Sequence, residues 1–243
     1  MAEAAAHDLE IERLSVRYGG VIALEDVSLR VPAGRIVGLI GPNGAGKTSL
    51  INAVTGVVRP HAGRISLGPQ ALERLPQHQI ARRGIVRTYQ NIRLFAALSV
   101  AENVRAGALR VPGALDDAAL RALLERASAG EVEPRARAGS LPYGAQRRVE
   151  IARALAARPA IVLLDEPAAG MNPQETGELR AVIRGIAAAG AGVLLVEHDM
   201  GLVSAVCDRV LVLNFGRALA EGTPQEIARD PKVIEAYLGT ATA

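Results

Sequence analysis

The segment Gly41-Pro42-Asn43-Gly44-Ala45-Gly46-Lys47-Thr48 matches G-x-x-x-x-G-K-[ST] at every fixed position. This spacing suits a phosphate cradle. Glycines let backbone N–H groups turn inward around phosphate oxygens, and a helix starting behind the loop adds its partial positive N-terminus. Lys47 would neutralise the outer phosphates, Thr48 would offer its hydroxyl to Mg²⁺, and Ser49 follows in the same helical turn. A glycine-rich connection without a ligand would not explain Lys and Thr at these offsets. Composition also singles out Lys47, because the chain holds 26 Arg and only two Lys, Lys47 and Lys232. A compact ammonium on a flexible stem enters such a cradle where a planar guanidinium would not.

Two acidic groups of residues complete the chemistry. Asp165 and Glu166 follow the apolar run 161–164, and Glu197-His198-Asp199 follows the run 193–196. Asp165 is placed to hold Mg²⁺, directly or through water, and Glu166 to take a proton from water attacking a terminal phosphate. Alone, an exposed acidic pair at a strand end reads as a helix cap. Beside a phosphate loop on a neighbouring strand, it reads as a catalytic pair.

The elements that must position these residues follow from periodicity. Leu9–Tyr18 and residues 24–31 alternate apolar and polar side chains, as half-buried antiparallel strands do. Ile36–Ile40 is a short apolar run feeding the glycine turn, and Lys47–Val54 follows as a helix. Residues 64–67 form another short strand after the turn signal at 59–63. The continuous apolar runs 161–164 and 193–196 suit the interior of a parallel sheet, where ligands bind at the carboxyl ends of strands. Between Gln90 and Gln146 the pattern turns helical over 98–104 and 118–127, with breaks at Val111-Pro112-Gly113 and 131–137. An α/β core with an inserted helical subdomain is expected. Cys207 lies in an apolar helical pattern with Leu202, Val203, Val206 and Val210, which suits packing.

Composition narrows the function classes. With 243 residues the chain can bury a sizeable core, and 49% hydrophobic with 22% charged residues is ordinary for a globular protein. The net charge of +3 is mild and arginines are dispersed, so no nucleic-acid partner is expected. The uncharged central stretch 185–196 spans 12 residues, against about 20 for a membrane span. Residues 1–8 carry no basic segment followed by an apolar one, so no secretory signal is expected. A single cysteine excludes an internal disulfide and fits a reducing compartment.

Taken in order, Tyr18, the loop 41–48, Gln90, Leu141-Pro142-Tyr143-Gly144-Ala145-Gln146, residues 161–167, Gly170-Met171-Asn172 and His198 resemble the ATP-binding subunits of ABC transporters. The likeness spans nearly the whole chain. It implies a P-loop NTPase (ABC ATPase) core with an N-terminal antiparallel β-subdomain, formed by residues 1–90 and 147–243. Residues 91–146 would form the helical subdomain and carry the signature segment at its end. It implies ATP and Mg²⁺ as ligands, with Tyr18 stacking on adenine, Gln90 sensing Mg²⁺ and the lytic water, and His198 contacting the γ-phosphate.

The segment 141–146 resembles the family's Leu-Ser-Gly-Gly-Gln but carries Pro142, Tyr143 and Ala145 in place of Ser, Gly and Gln. In the family it caps ATP held by a second ATP-binding subunit. Pro142 has neither hydroxyl nor N–H, so the Tyr143, Gly144 and Ala145 amides and a helix starting near Gln146 would supply that contact. Asn172, where the family usually has Asp, removes one charge from the contact loop between subunits.

Residues 87–95, 146–153, 166–173 and 233–239 are similar to the branched-chain amino acid importer branch. This implies a paralogous ATP-binding subunit in a head-to-tail dimer and two hydrophobic membrane subunits touched near Ile92, Arg93, Leu94 and Phe95. It also implies an extracytoplasmic substrate-binding protein acting indirectly, and a peripheral position on the cytoplasmic face of the membrane. Urea and short-amide importers and the lipopolysaccharide export ATPase are similar enough to stay open. A non-transport ABC protein would usually carry paired cassettes, coiled coils or zinc-binding cysteines. A P-loop kinase would leave residues 141–146 and His198 without a role.

Overall fold

The N-terminal alternation builds two long strands, β1 (Leu9–Tyr18) and β2 (Val21–Val31), which pair antiparallel from Leu9 opposite Val31 to Tyr18 opposite Val21. The computed structural model describes residues 7–109, 111, 113 and 115–238. β2 starts three residues before the expected Leu24. The buried positions of β1 are Leu9, Ile11, Leu14 and Val16, so the alternation slips by one residue around Arg13, whose φ is 46°. The register shift there marks a bulge that returns the apolar side chains to the core face.

β3 (Ile36–Ile40) leads through the glycine loop into α1 (Lys47–Val54). β4 (Ala62–Leu67) and β5 (Gln70–Ala71) then complete a four-stranded antiparallel sheet in the order β2-β1-β4-β5. α2 (Gln77–Arg82) and β6 (Ile85–Arg87) follow. β6 escaped the periodicity because three residues cannot display a period.

The helical region holds α3 (Val100–Gly107), α4 (Asp117–Arg126) and α5 (Tyr143–Ala156). Ser99 and Asp116 cap the first two through their side chains; of the expected break at 111–113, Pro112 lies outside the described residues. α5 starts at Tyr143, not near Gln146: Pro142 is its N-cap with φ −56°, and Tyr143, Gly144 and Ala145 form its first turn. The division expected between 146 and 147 therefore falls inside one helix.

β7 (Ile161–Asp165), α6 (Pro173–Ala188), β8 (Gly192–Val196), α7 (Met200–Val206), β9 (Arg209–Asn214), β10 (Arg217–Gly222), α8 (Pro224–Ile227) and α9 (Pro231–Leu238) complete the described chain. Val210 belongs to β9, not to the helical run expected around Cys207. Cys207 itself ends α7. The second sheet runs β10-β9-β3-β8-β7-β6, parallel throughout except for the antiparallel β10–β9 hairpin.

Both faces of the central strands β3, β7 and β8 are covered, which is why these read as apolar runs. On β8, Val193 and Leu195 enter the cluster with the helical region and α6, whereas Leu194 and Val196 enter the cluster with α1 and the antiparallel sheet. Cys207 packs on the first side: a Cβ on Gly38 would lie 3.1 Å from its Sγ. Burial, aided by Asp208 and Glu197, pushes this thiol up to about 12.

Thiolate, not thiol, is the reactive form. The native protein should therefore leave Cys207 unmodified by an aromatic disulfide reagent at about pH 8, where an ordinary thiol would be partly ionised. The denatured chain should release one equivalent of chromophore, from its single cysteine. Equal labelling rates in the two states would refute the buried, protonated thiol.

Candidate active site

The cradle is shaped by two glycines that nothing else could replace. Gly41 leaves β3 with φ 147°, and a Cβ there would lie 2.2 Å from the Leu213 carbonyl oxygen. Gly46, with φ 106°, would drive a Cβ to 2.7 Å from both the Ala23 oxygen and Leu24 Cδ2. Gly46 is the N-cap of α1, which has no side-chain cap and no acidic residue in its first turn. The Lys47, Thr48 and Ser49 amides thus open the helix without a side-chain acceptor, as an anion site requires. Within the loop, Ala45 N–H donates to the Pro42 carbonyl at 3.1 Å, and Gly216 N–H of the β9–β10 turn donates to the Ala45 carbonyl at 3.0 Å. Lys47 Nζ donates to the carbonyls of Gly41 at 2.6 Å and Pro42 at 3.1 Å. Burial lowers the Lys47 ammonium from its ordinary value, while Glu166 and Asp165 act in the opposite direction. The electrostatics therefore tie the cradle to the acidic pair.

Parallel pairing sets Asp165, at the end of β7, opposite Val196, at the end of β8. The two acids differ in exposure: Asp165 is buried and Glu166 is half-buried. Asp165 is 8% accessible, and its Oδ2 accepts from Arg87 Nη2 at 2.8 Å. Arg87 Nη1 donates to Asn52 Oδ1 at 2.8 Å, so one guanidinium joins β6, β7 and α1. Removing either partner of such a buried ion pair leaves an uncompensated charge, at a cost of about 3–5 kcal/mol.

Glu166 turns the chain sharply. Its φ is 45°, a left-handed conformation that costs a non-glycine residue about 1–3 kcal/mol. Its N–H donates to the Val196 carbonyl at 2.9 Å, and its Oε2 accepts from Gln90 Nε2 at 2.8 Å. His198 Nδ1 stands 3.9 Å from the same Glu166 oxygen and 4.0 Å from Glu197 Oε2. Glu197 is 1% accessible; it accepts from Ala168 N–H at 3.0 Å and His198 N–H at 3.2 Å. Burial raises its carboxyl, while the Ala168, His198 and Asp199 amides pull it back down. It thereby holds the loop after Glu166 to the loop bearing His198.

Tyr18 is exposed at the end of β1, opposite Val21, in the hairpin whose Ala23 carbonyl abuts Gly46. Tyr143 and Gly144 sit apart on α5. A Cβ on Gly170 would come within 3.2 Å of the Tyr143 ring, and one on Gly144 within 2.0 Å of Glu175 Oε1. α5, like α1, starts without a side-chain cap or an acid in its first turn. Asn172 caps α6 through a reciprocal bond pattern with Glu175.

Arg87, Asn52 and Glu197 join the site although sequence alone assigns none of them a role. For Arg87 the trace in the sequence is a charge directly after the apolar pair Ile85-Val86. For Glu197 it is an acid between a buried strand and His198. Asn52 leaves none, since a polar residue inside an amphipathic helix is ordinarily solvated. Among the described residues no three His, Cys, Asp or Glu side chains gather at a metal-binding spacing. Thr48, Gln90 and Asp165 are all oxygen donors, the type Mg²⁺ takes when phosphates and waters complete its shell.

The chain is similar to known proteins along nearly its whole length. The family model described as ABC transporter matches residues 24–169, and the one described as branched-chain amino acid ATP-binding cassette transporter matches residues 219–243. The chain is 44% identical to the high-affinity branched-chain amino acid transport ATP-binding protein BraF of Pseudomonas aeruginosa, over 96% of this chain and 98% of that one. It is 45% identical, with the same coverage, to the corresponding protein LivG of Escherichia coli. Among solved structures it is similar to an ATP-binding cassette of an ABC transporter in its ADP conformation, at TM-score 0.86 and 28% identity over 96% of this chain and 99% of that one. With a family model over most of its length and near-full-length relatives beside it, the chain belongs to the ABC transporter family, among the ATP-binding subunits of the branched-chain amino acid type.

Proposed function

We propose that this chain binds Mg²⁺-ATP and hydrolyses it to drive uptake of branched-chain amino acids through separate membrane subunits. The observation that carries the catalytic part is the 2.8 Å contact between Gln90 and Glu166, at the sheet edge where the cradle also lies. In this reading residues 41–49 hold the phosphates and Tyr18 stacks on adenine. An aromatic face contributes about 1–3 kcal/mol to a stacked base. Glu166 takes a proton from water as the water oxygen attacks the γ-phosphorus and the bond to the β-phosphate oxygen breaks. Gln90 orients that water, being able to donate and accept at once, and His198 donates to the γ-phosphate oxygens. Thr48, Gln90 and Asp165 would hold Mg²⁺, which when bound spreads the phosphate charge.

The cargo is inferred from the likeness to transporters of that substrate class, since no part of this reading asks the substrate to touch the chain. A head-to-tail dimer with a paralogous ATP-binding subunit would bring the first turn of α5, with Tyr143 and Gly144, to the partner's ATP. Backbone amides in an uncapped first turn support that role despite Pro142 and Ala145. We treat residues 91–146 as the helical subdomain and residues 1–90 and 147–243 as the core. No described helix is long and apolar enough to cross a membrane, so two hydrophobic subunits would supply the path and this chain would sit at their cytoplasmic side. A substrate-binding protein would deliver cargo from the other side. A groove of about 890 Å³, lined by Tyr89, Phe95, Leu109 and Arg153 among others, suits the contact with the membrane subunits; Phe95 and not Ile92 is the member of the expected stretch that lines it.

Two variants test the site. Glu166→Gln should keep ATP binding and trap a closed dimer while lowering steady-state hydrolysis by about 100-fold or more; phosphate release at the parent rate would remove Glu166 as base. Gly41→Ala should abolish ATP binding, read by fluorescent-nucleotide titration, because its methyl group cannot fit against Leu213. Parent-like affinity in that variant would contradict the cradle geometry.

A further inference from the structure

Arg147 has no place in phosphate binding or proton transfer, yet it is 0% accessible and lies in the second turn of α5. Its Nη1 donates to the Tyr89 carbonyl at 2.5 Å and to Glu150 Oε2 at 2.7 Å. Its Nη2 donates to the Gln90 carbonyl at 2.5 Å and to the Tyr143 hydroxyl at 3.1 Å. Glu150, equally buried, accepts from Arg93 N–H at 3.0 Å through its other oxygen. The backbone on both sides of the Gln90 side chain therefore hangs from α5. The Tyr143 ring rests on Gly170, in the loop that follows Glu166. A planar guanidinium can hold two carbonyls, a carboxylate and a hydroxyl in one fork, whereas an ammonium offers a point charge without that geometry.

We propose that Arg147 is a positioning residue for hydrolysis: it locks the Tyr89–Gln90 backbone to the first turn of α5, so that the Gln90 amide meets Glu166 only when that turn is seated. This rests on the reading of Gln90 and Glu166 as hydrolytic residues. It adds a physical link between the segment facing the second subunit's nucleotide and the chain's own catalytic carboxylate. Displacement of Tyr143 is felt at Arg147, and displacement of Arg147 moves the carbonyl of Gln90 itself.

The test is a double-mutant cycle on the full chain assembled with its co-purifying membrane subunits. Arg147→Lys, which keeps a charge opposite Glu150, should lower kcat about tenfold while KM stays within about threefold and ATP affinity is unchanged. In a Gln90→Ala background the same substitution should add less than about a twofold loss, because the contact it positions is already gone. If Arg147→Lys does not assemble, Tyr143→Phe removes only the hydroxyl and should show a smaller loss, again absent in the Gln90→Ala background. Multiplicative losses in the cycle, unchanged kcat, or ATP affinity falling in step with kcat would overturn the proposal. A parent assembly that hydrolyses no ATP would instead overturn the reading of the site on which it rests.

Discussion

β8 pairs parallel with β3 on one side and β7 on the other, and this sandwiching of one short strand is the constraint on which the site depends. Parallel neighbours lie about 4.8 Å apart and end at the same edge. The glycine loop after β3, His198 after β8, Glu166 after β7 and Gln90 beyond β6 are thereby brought into one row. A one-residue slip in any of these pairings would exchange the two apolar faces of a strand and turn its terminal residue away. The register is held because Val193 and Leu195 belong to one core cluster and Leu194 and Val196 to the other. Packing on both faces thus fixes where the residues at this edge stand.

Charge is handled at that edge by enclosure. Asp165 is held by Arg87, and Glu197 by the amides of the two loops it joins. Each arrangement offsets the cost of a carboxylate taken from water, and each fixes a loop as a consequence. Glu166 differs: its backbone adopts a left-handed turn, and its carboxylate stays available to Gln90 and His198. Asp165 and Glu197 are buried and bonded; Glu166, the acid assigned to proton transfer, is left at the mouth of the site.

α5 extends this logic beyond the sheet. Its first turn has free amides, its second turn holds Arg147, and its later residues Val149, Ala152 and Leu155 enter the core. One helix therefore offers a binding end, a polar fork and an apolar anchor in sequence. α5 runs continuously through residues 146 and 147, so it joins the helical region to the core as one rigid element.

The local part of this protein was legible in its residues. The loop 41–48, the strands Ile36–Ile40 and Leu9–Tyr18, and the helix Lys47–Val54 coincide with their expected bounds, because glycine turns, strand period and helix starts are properties of consecutive residues. The order of motifs sufficed to identify the family. Short strands such as β6 and β10 were not legible, because their pairing partners and not their own pattern stabilise them. α5 starts three residues before the expected Gln146, since a proline at the N-cap leaves no side-chain signal. The buried pair Arg87–Asp165, the grip of Glu197 on Ala168 and the fork of Arg147 were decided by tertiary structure alone. Each includes a bond between residues at least 29 positions apart, and whether a charged side chain is solvated or enclosed depends on which elements pack over it, something that neighbouring residues in the chain do not encode.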